Sequence, residues 1–397
     1  MKSVQKILIP SWIGEEAQKI LKILGGDGDA PKTLFVGGCV RNTMLDAAPT
    51  DIDLATQYTP DEVIEILSKE NIKTIPTGID HGTVTAVMNK TPIEITTLRK
   101  DMNTDGRHAN VKFTLNYEDD AARRDFTMNA LYMDLLGNVF DPTGQGVQDL
   151  NNRHIRFVGK AAERIEEDYL RILRFFRFNA QYGVDEINND TLRICGNSAN
   201  GLKQLSRERI TQEFLKILRT NRAPEILDAM FGVGILEILK GSEYQSQYLQ
   251  NLINIQNQHH DIIDEFSIVM ARYFIVSGGK AAFHDDVLLF SNAQIKFVIK
   301  LETISNEIFF QNEKTIKKTM IHHGRDVTLQ GYLLLIAQNK IADMPEMFDV
   351  ITNWQIPKCP ITGDTLIKEG YQTGPELGDE LARRKEEWLE NLLDVNL

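Results

Sequence analysis

The spacing of apolar residues changes near residue 160. Upstream they fall in short runs and alternations; downstream they recur every three or four positions, the period of helices. Residues 11–24 open the chain with a helical pattern. TLFVGG, 33–38, predicts a short buried strand ending in a glycine turn, and VRNTML starts a helix after it. TDIDLAT, 50–56, predicts the next strand. Thr59, Pro60, Asp61 and Glu62 supply a cap, a proline at the first helical position and first-turn acids, so 60–69 is expected to be helical. GTVTAVMN and TPIEITTL are β-rich runs that predict a hairpin around Asn89 and Lys90. Residues 100–119 are polar and weakly periodic, the pattern of a long loop with a turn at Asp105-Gly106. RRDFTMNALYMDLLGNVFDP, 123–142, predicts a helix running into a strand and a turn.

AERIEEDYLRILRFFRFNAQYG reads as one helical stretch ended by Gly183, and RERITQEFLKILRT and PEILDAMFGVGILEIL continue the helical period without a fixed-length repeat. The expected fold class is therefore α+β, a mixed head followed in series by an all-helical remainder. The mixed head is expected to take up about the first 140 residues.

Composition narrows the class. The 397 residues are 42% hydrophobic and 25% charged, ordinary for a globular protein of several subdomains. No run of 18 uncharged apolar residues exists, so no membrane span is expected. The N-terminal pattern is that of an amphipathic helix rather than a signal peptide. Cys39, Cys195 and Cys359 are odd in number and widely spaced, which fits a reducing cytoplasm and argues against a disulfide framework or a zinc site. The net charge of −12 counts against a nucleic-acid binder, but its distribution does not. Residues 153–177 carry seven Lys/Arg against four acids, and KTIKKTMIHHGR, 314–325, is also basic; these two segments are the expected RNA contacts.

Three clusters carry candidate chemistry. Asp51 and Asp53 alternate on the expected strand, so they share a face about 7 Å apart and repel, which a divalent cation would offset. Ahead of them, Gly37 and Gly38 allow backbone N–H groups close to phosphate oxygens, with Arg41 nearby. Second, Arg123-Arg124-Asp125 places arginine forks suited to phosphate beside an acceptor for a ribose hydroxyl. Third, Asp168, Arg171 and Arg174 lie three apart, on one face of the expected helix, beside Arg177 and several aromatics. An aspartate and an arginine in one plane can pair with the Watson–Crick edge of a base.

The order of these motifs over the first 220 residues or so resembles the class II nucleotidyltransferases, bacterial tRNA CCA-adding enzymes and poly(A) polymerases. GGCVRN with TDIDLAT is similar to that family's first motif, RRDFTMNALYMD to its second, DPTGQGVQDLNNRHIRFVG to its hinge, EDYLRILRFFRF to its nucleotide-selecting motif and LSRERITQEFLKIL to its last. TGIDHGTVTAV and EITTLRKD also match its catalytic-sheet strands. The resemblance implies a polymerase-β-like catalytic head over 1–140, a neck with the nucleotide-selecting helix over 141–205, a helical body over 206–330 and a helical, RNA-binding tail over 331–397. It implies that Asp51 and Asp53 hold two Mg²⁺ ions during catalysis, that Gly37, Gly38 and Arg41 meet the triphosphate, and that Arg124 and Asp125 meet phosphate and ribose. Asp168 and Arg171 would read CTP or ATP, supported by Arg174 and Arg177. Glu94, on IEITT, is a candidate third carboxylate.

The implied reaction is template-independent addition of C, C and A to the tRNA 3′ end, with the acceptor arm as the bound partner. No protein partner and no membrane are implied. Addition of A alone, of CC alone, or of a poly(A) tail remain alternatives within the family, and an inactive tRNA- or nucleotide-binding module is the alternative of another class. Thr104-Asp105-Gly106-Arg107-His108 favours complete CCA addition over CC alone. The sequence departs from the family at Asn42, where an aspartate usually follows the arginine.

Overall fold

The structure, a computed structural model, describes residues 1–8, 12–49, 51–102, 110–184, 186–239, 244–281, 286–307, 310 and 312–395. The chain divides into two compact units, Met1–Leu205 and Ser206–Leu397.

Among the described residues of the first unit, eight strands form one mixed sheet. Its order is β1 (Gln5–Lys6), β10 (Asn138–Phe140), β9 (Tyr132–Met133), β2 (Thr33–Val36), β3 (Asp53–Thr56), β6 (Thr91–Thr97), β5 (Thr83–Met88) and β4 (Lys73–Gly78). A separate ribbon pairs β7 (Arg99–Met102) with β8 (Asn110–Phe113). The helices are α1 (Glu15–Ile23), α2 (Gly38–Met44), α3 (Pro60–Lys69), α4 (Tyr117–Ala122), α5 (Gly146–Asn151), α6 (Ala161–Glu167), α7 (Leu170–Tyr182) and α8 (Asn189–Asn197).

The continuous apolar run of β2 is buried at every position, as a strand covered on both faces must be. Leu34, Val36, Ala55, Leu98, Ala130 and Tyr132 form the core beneath it. β3 pairs antiparallel with β2 and parallel with β6, and this parallel register sets Asp53 beside Glu94. Thr59 and Glu62 close a reciprocal capping box at the start of α3. Asn89 and Lys90 both adopt positive φ, 49° and 69°, as a two-residue hairpin turn between Met88 and Thr91 requires.

Four expectations need correction. β3 starts at Asp53, so Asp51 lies in the bend before the strand rather than on its face. The expected loop over 100–119 contains part of the β7–β8 ribbon and the start of α4; Thr104 to His108 lie outside the described residues. RRDFTMNA is not an α-helix: the Asp125 carboxylate accepts from Phe126 N–H and Asn129 Nδ2 and folds the segment into a 3₁₀ turn, Thr127–Asn129.

The long neck pattern breaks at Asp168, which is extended at φ −154° and ψ 105° and separates α6 from α7. Asp168 therefore does not share a helical face with Arg171 and Arg174. Tyr169 explains the break. Its ring occupies the space above Gly201, where a Cβ would fall 2.1 Å from a ring carbon.

The second unit is helical: α9 (Arg207–Leu218), α10 (Ala223–Gly232), α11 (Ile235–Ile238), α12 (Ser246–Gln258), α13 (Glu265–Val276), α14 (Asn292–Glu307), α15 (Glu313–His323), α16 (Arg325–Ala337), α17 (Pro345–Asn353), α18 (Gly363–Lys368) and α19 (Pro375–Val395). A polar network lies in its core. Arg272 donates to Gln256 and to the carbonyls of Leu218 and Thr220, and Gln256, Gln330 and Ser267 continue the chain of bonds. The lysines of the basic stretch on α15 face acids of their own unit. Lys314 and Lys318 pair with Glu386 and Glu390 on α19, and Lys317 pairs with Glu313. Among the described residues no helix is long and apolar enough to cross a membrane.

Candidate active site

The site is built in the first unit around the turn that ends β2. Gly37 has φ 73° and ψ −124°, a conformation that side chains strongly disfavour. A Cβ on Gly37 would stand 3.4 Å from Arg124 Nη1, and one on Gly38 would stand 3.7 Å from Arg41 Nη2. Two guanidinium groups thus flank a notch kept free of side chains.

Asp53, at the start of the next strand, supplies the acidic side. Burial pushes its carboxyl up, neighbouring Glu94 and Asp51 push it further, and Arg124 offsets only part of this, leaving a pKa of about 6. Asp51 and Glu94 are exposed. A half-buried carboxylate facing two more carboxylates, with Arg124 offsetting only part of their repulsion, favours a cation at this edge. Among the described residues no three His, Cys, Asp or Glu side chains enclose a metal by themselves. An open carboxylate edge of this kind suits Mg²⁺, which takes one or two carboxylates and completes its shell with water and substrate phosphates.

Arg124 is held by Asp120. This carboxylate, 1% exposed, accepts from Nε and Nη2 of both Arg123 and Arg124, at 2.7 to 3.2 Å, and from Tyr132 Oη at 2.7 Å. Burial alone would raise its pKa, but Arg124, Arg123 and Tyr132 outweigh that and hold it well below the usual carboxylate range. The Asp125 carboxyl is likewise raised by burial and more than compensated by Arg174, Asn129 and the Phe126 N–H. Arg174 Nε donates to Asp125 Oδ2 at 2.7 Å, Asn129 Nδ2 donates to Asp125 Oδ1 at 3.0 Å, and Asn129 Oδ1 accepts from Arg41 Nη1. The sequence-predicted residues Gly37, Gly38, Arg41, Asp53, Glu94, Arg124, Asp125 and Arg174 are thereby linked in one constellation.

The other candidates stand at α7. Asp168 Oδ1 accepts the Leu170 N–H at 3.0 Å, an Asx turn that leads the chain into the helix. Arg171 donates to Glu167 at 2.6 Å and to the carbonyls of Arg164 and Arg123. Arg177 lies over the Phe178 ring, 4.5 Å from its centroid. Three residues without an assigned role in the sequence reading also enter the site: Asp120, Asn129 and Tyr182. Asp120 has a legible signal, since it stands three and four residues before the arginine pair, the helical contact spacing. Asn129 lies within the quoted RRDFTMNA segment. Tyr182 has none, because only the folded chain brings it to Arg41.

A glycine notch flanked by arginines beside an acidic strand edge, on a mixed sheet followed by helices, defines the class of a nucleotidyltransferase. Residues 33–156 match the poly A polymerase head domain, and residues 186–244 match the probable RNA- and SrmB-binding site of polymerase A. The mitochondrial CCA tRNA nucleotidyltransferase 1 of Danio rerio is 32% identical over 378 residues, covering 89% of this chain and 82% of the relative. A CCA-adding enzyme of Streptococcus uberis is 30% identical over 397 residues, covering 95% and 94%. The Bacillus stearothermophilus CCA-adding enzyme, solved in complex with CTP, superposes with a TM-score of 0.76 at 25% identity, covering 98% of this chain and 94% of that one. The chain belongs to the CCA tRNA nucleotidyltransferase and poly(A) polymerase family.

Proposed function

We propose that the chain adds C, C and A to the 3′ ends of tRNA without a template, by nucleotidyl transfer from CTP and ATP. The observation that carries this reading is the set of Asp53, Glu94, Gly37 and Arg124, an acidic edge and an arginine-flanked glycine turn in one place. Gly37 and Gly38 admit the triphosphate backbone-first, and Arg41 and Arg124 meet its charge from either side. Asp51 and Asp53, with Glu94, would hold Mg²⁺. A divalent cation held there would supply acidification of the primer hydroxyl and neutralisation of charge on the leaving pyrophosphate. The chain's own contribution is positioning: Asp120 fixes Arg124 and Asp125 fixes Arg174, two guanidinium groups that would meet the incoming nucleotide.

Asp168, Arg171, Arg174 and Arg177 are the proposed base-reading group. The pairing of Arg171 with Glu167 and of Arg174 with Asp125 sets the direction of their remaining donors. Cytosine and adenine match an Asp and Arg pair; guanine and uracil would leave a buried charge unpaired, which is costly. A cytoplasmic setting and the division into head, neck, body and tail belong to the same proposal.

The test supplies the protein with Mg²⁺ and tRNA lacking its 3′ CCA. CTP alone should add two residues, and CTP with ATP should complete CCA. Long tails from ATP alone would establish poly(A) synthesis, and CC never followed by A would establish partial addition. No extension with tRNA still bound would leave a binding module.

A further inference from the structure

Arg41 differs from Arg123, Arg124, Arg171 and Arg174 in what holds it. Arg123 and Arg124 share Asp120, Arg171 has Glu167, and Arg174 has Asp125. The hydrogen-bond partners of Arg41 are three neutral side chains. Its Nε and Nη2 donate to Asn42 Oδ1 at 3.1 and 2.9 Å, its Nη1 donates to Asn129 Oδ1, and its Nη2 donates to Tyr182 Oη at 2.9 Å. Tyr182 Oη in turn donates to Asn42 Oδ1 at 3.4 Å, closing a ring of three side chains. The guanidinium also lies over the Tyr182 ring, 4.5 Å from its centroid, and over Phe178 at 5.2 Å. Tyr182 and Phe178 are themselves stacked.

Arg41 is 8% exposed, so its charge is largely removed from water. Asp125 is near, but its Oδ2 is already taken by Arg174 and its Oδ1 by Asn129 and the Phe126 N–H. A buried cation whose hydrogen bonds all go to neutral groups, with Asp125 acting on it only at longer range, keeps much of its attraction for an incoming anion. The departure at Asn42 now has a physical sense. An aspartate there would place a carboxylate against the guanidinium; asparagine accepts the same hydrogen bonds without neutralising the charge, and Tyr182 supplies a further hold.

We propose that Tyr182, together with Asn42, is a positioning residue that latches Arg41 toward the polyphosphate of the incoming nucleotide. This rests on the reading of the chain as a CCA-adding enzyme with Arg41 at the triphosphate. Tyr182 is the last residue of α7, whose 13 residues begin beside Asp168 and Arg171. One helix, about 20 Å long by its rise per residue, thus carries the base-reading side chains at one end and the phosphate latch at the other. The polyphosphate is common to CTP and ATP, so the latch acts on both nucleotides alike and leaves the choice between them untouched.

Four proteins test this: the wild type, Tyr182→Phe, Asn42→Asp and the double variant. Addition of C to tRNA lacking CCA and of A to tRNA ending in CC is followed at steady state, and CTP affinity is titrated in parallel without tRNA. Tyr182→Phe removes one hydrogen bond to a charged group and keeps the ring. It should raise KM for CTP and for ATP by about tenfold each, with kcat within about twofold. In the Asn42→Asp background a carboxylate holds Arg41 directly, so the same change should cost less than about twofold. Unaltered melting temperatures show that the variants fold.

An unchanged KM, a rise confined to one nucleotide, or an equal cost in both backgrounds would overturn the latch. A wild type that binds CTP but extends no tRNA overturns the functional reading instead, and the CTP titration then decides the latch on affinity alone. A wild type that binds no nucleotide overturns both.

Discussion

Replacing Asp120 by asparagine separates its charge from its shape. The side chain keeps its volume and one acceptor oxygen, but the second oxygen becomes an NH₂ that must face either the Arg123 fork or the Arg124 fork. One guanidinium loses both of its bonds, and both lose the counter-charge. Breaking a fully buried ion pair from one side costs about 3–5 kcal/mol. The arginine side chains keep 15% and 18% exposure, so water recovers part of this and about 2–3 kcal/mol is the fair expectation. For a unit of about 200 residues that is a fall in melting temperature of about 5–10 °C.

The sign with pH follows from the depressed pKa. Asp120 contributes its stability above the ordinary aspartate value of about 4 and loses it as pH falls through its lower folded value. The gap between wild type and Asp120→Asn should therefore be constant from pH 6 to 8 and close in acid. Near-ultraviolet circular dichroism reads the first unit through Tyr132, which packs edge-on against Tyr117, ring centroids 5.2 Å apart. Glu118→Gln, two residues away and exposed, is the control and should leave the melting temperature unchanged. A melting gap under one degree, or one that widens in acid, would refute the assignment of Asp120 as the anchor of both arginines.

Gly37→Ala places a Cβ on a left-handed backbone beside Arg124, so it should cost about 1–3 kcal/mol and weaken nucleotide binding, as thermal melts and a CTP titration will show. Asp53→Asn should abolish tRNA extension. In metal-free protein at pH 8 it should also raise the melting temperature, because it removes a buried charge that faces Glu94 and Asp51. Arg272→Met in the second unit leaves the Leu218 and Thr220 carbonyls without their donor and should cost about 2–4 kcal/mol by urea denaturation, with tRNA extension retained wherever the protein is folded.

What the sequence made legible was local. The buried run of β2, the glycine turn, the capped α3 and the Asn89–Lys90 hairpin are each set by a few neighbouring residues. The break at Asp168 was invisible because the apolar period runs through it, and its cause, Gly201 beneath Tyr169, lies more than thirty positions downstream. The β7–β8 ribbon was missed because each strand is only four residues long, too short for its period-two signal to stand out from the polar residues around it. For the site, the residue types were legible and their partners were not. Asp51 and Asp53 announce a charge problem in one short segment, but the neighbour that sharpens it, Glu94, arrives through sheet register.

That register also orders events in time. β4, β5 and β6 follow one another and pair antiparallel, so they can form as a local meander. β3 is parallel to β6 and can dock only after the intervening α3, β4 and β5 have been threaded across. The pairing that brings the Asp53 and Glu94 carboxylates together therefore closes a far longer loop than either hairpin of the meander, and it closes it against their repulsion. Refolding of the first unit should be limited by this docking, and a divalent cation that screens the two charges should shorten that slow phase.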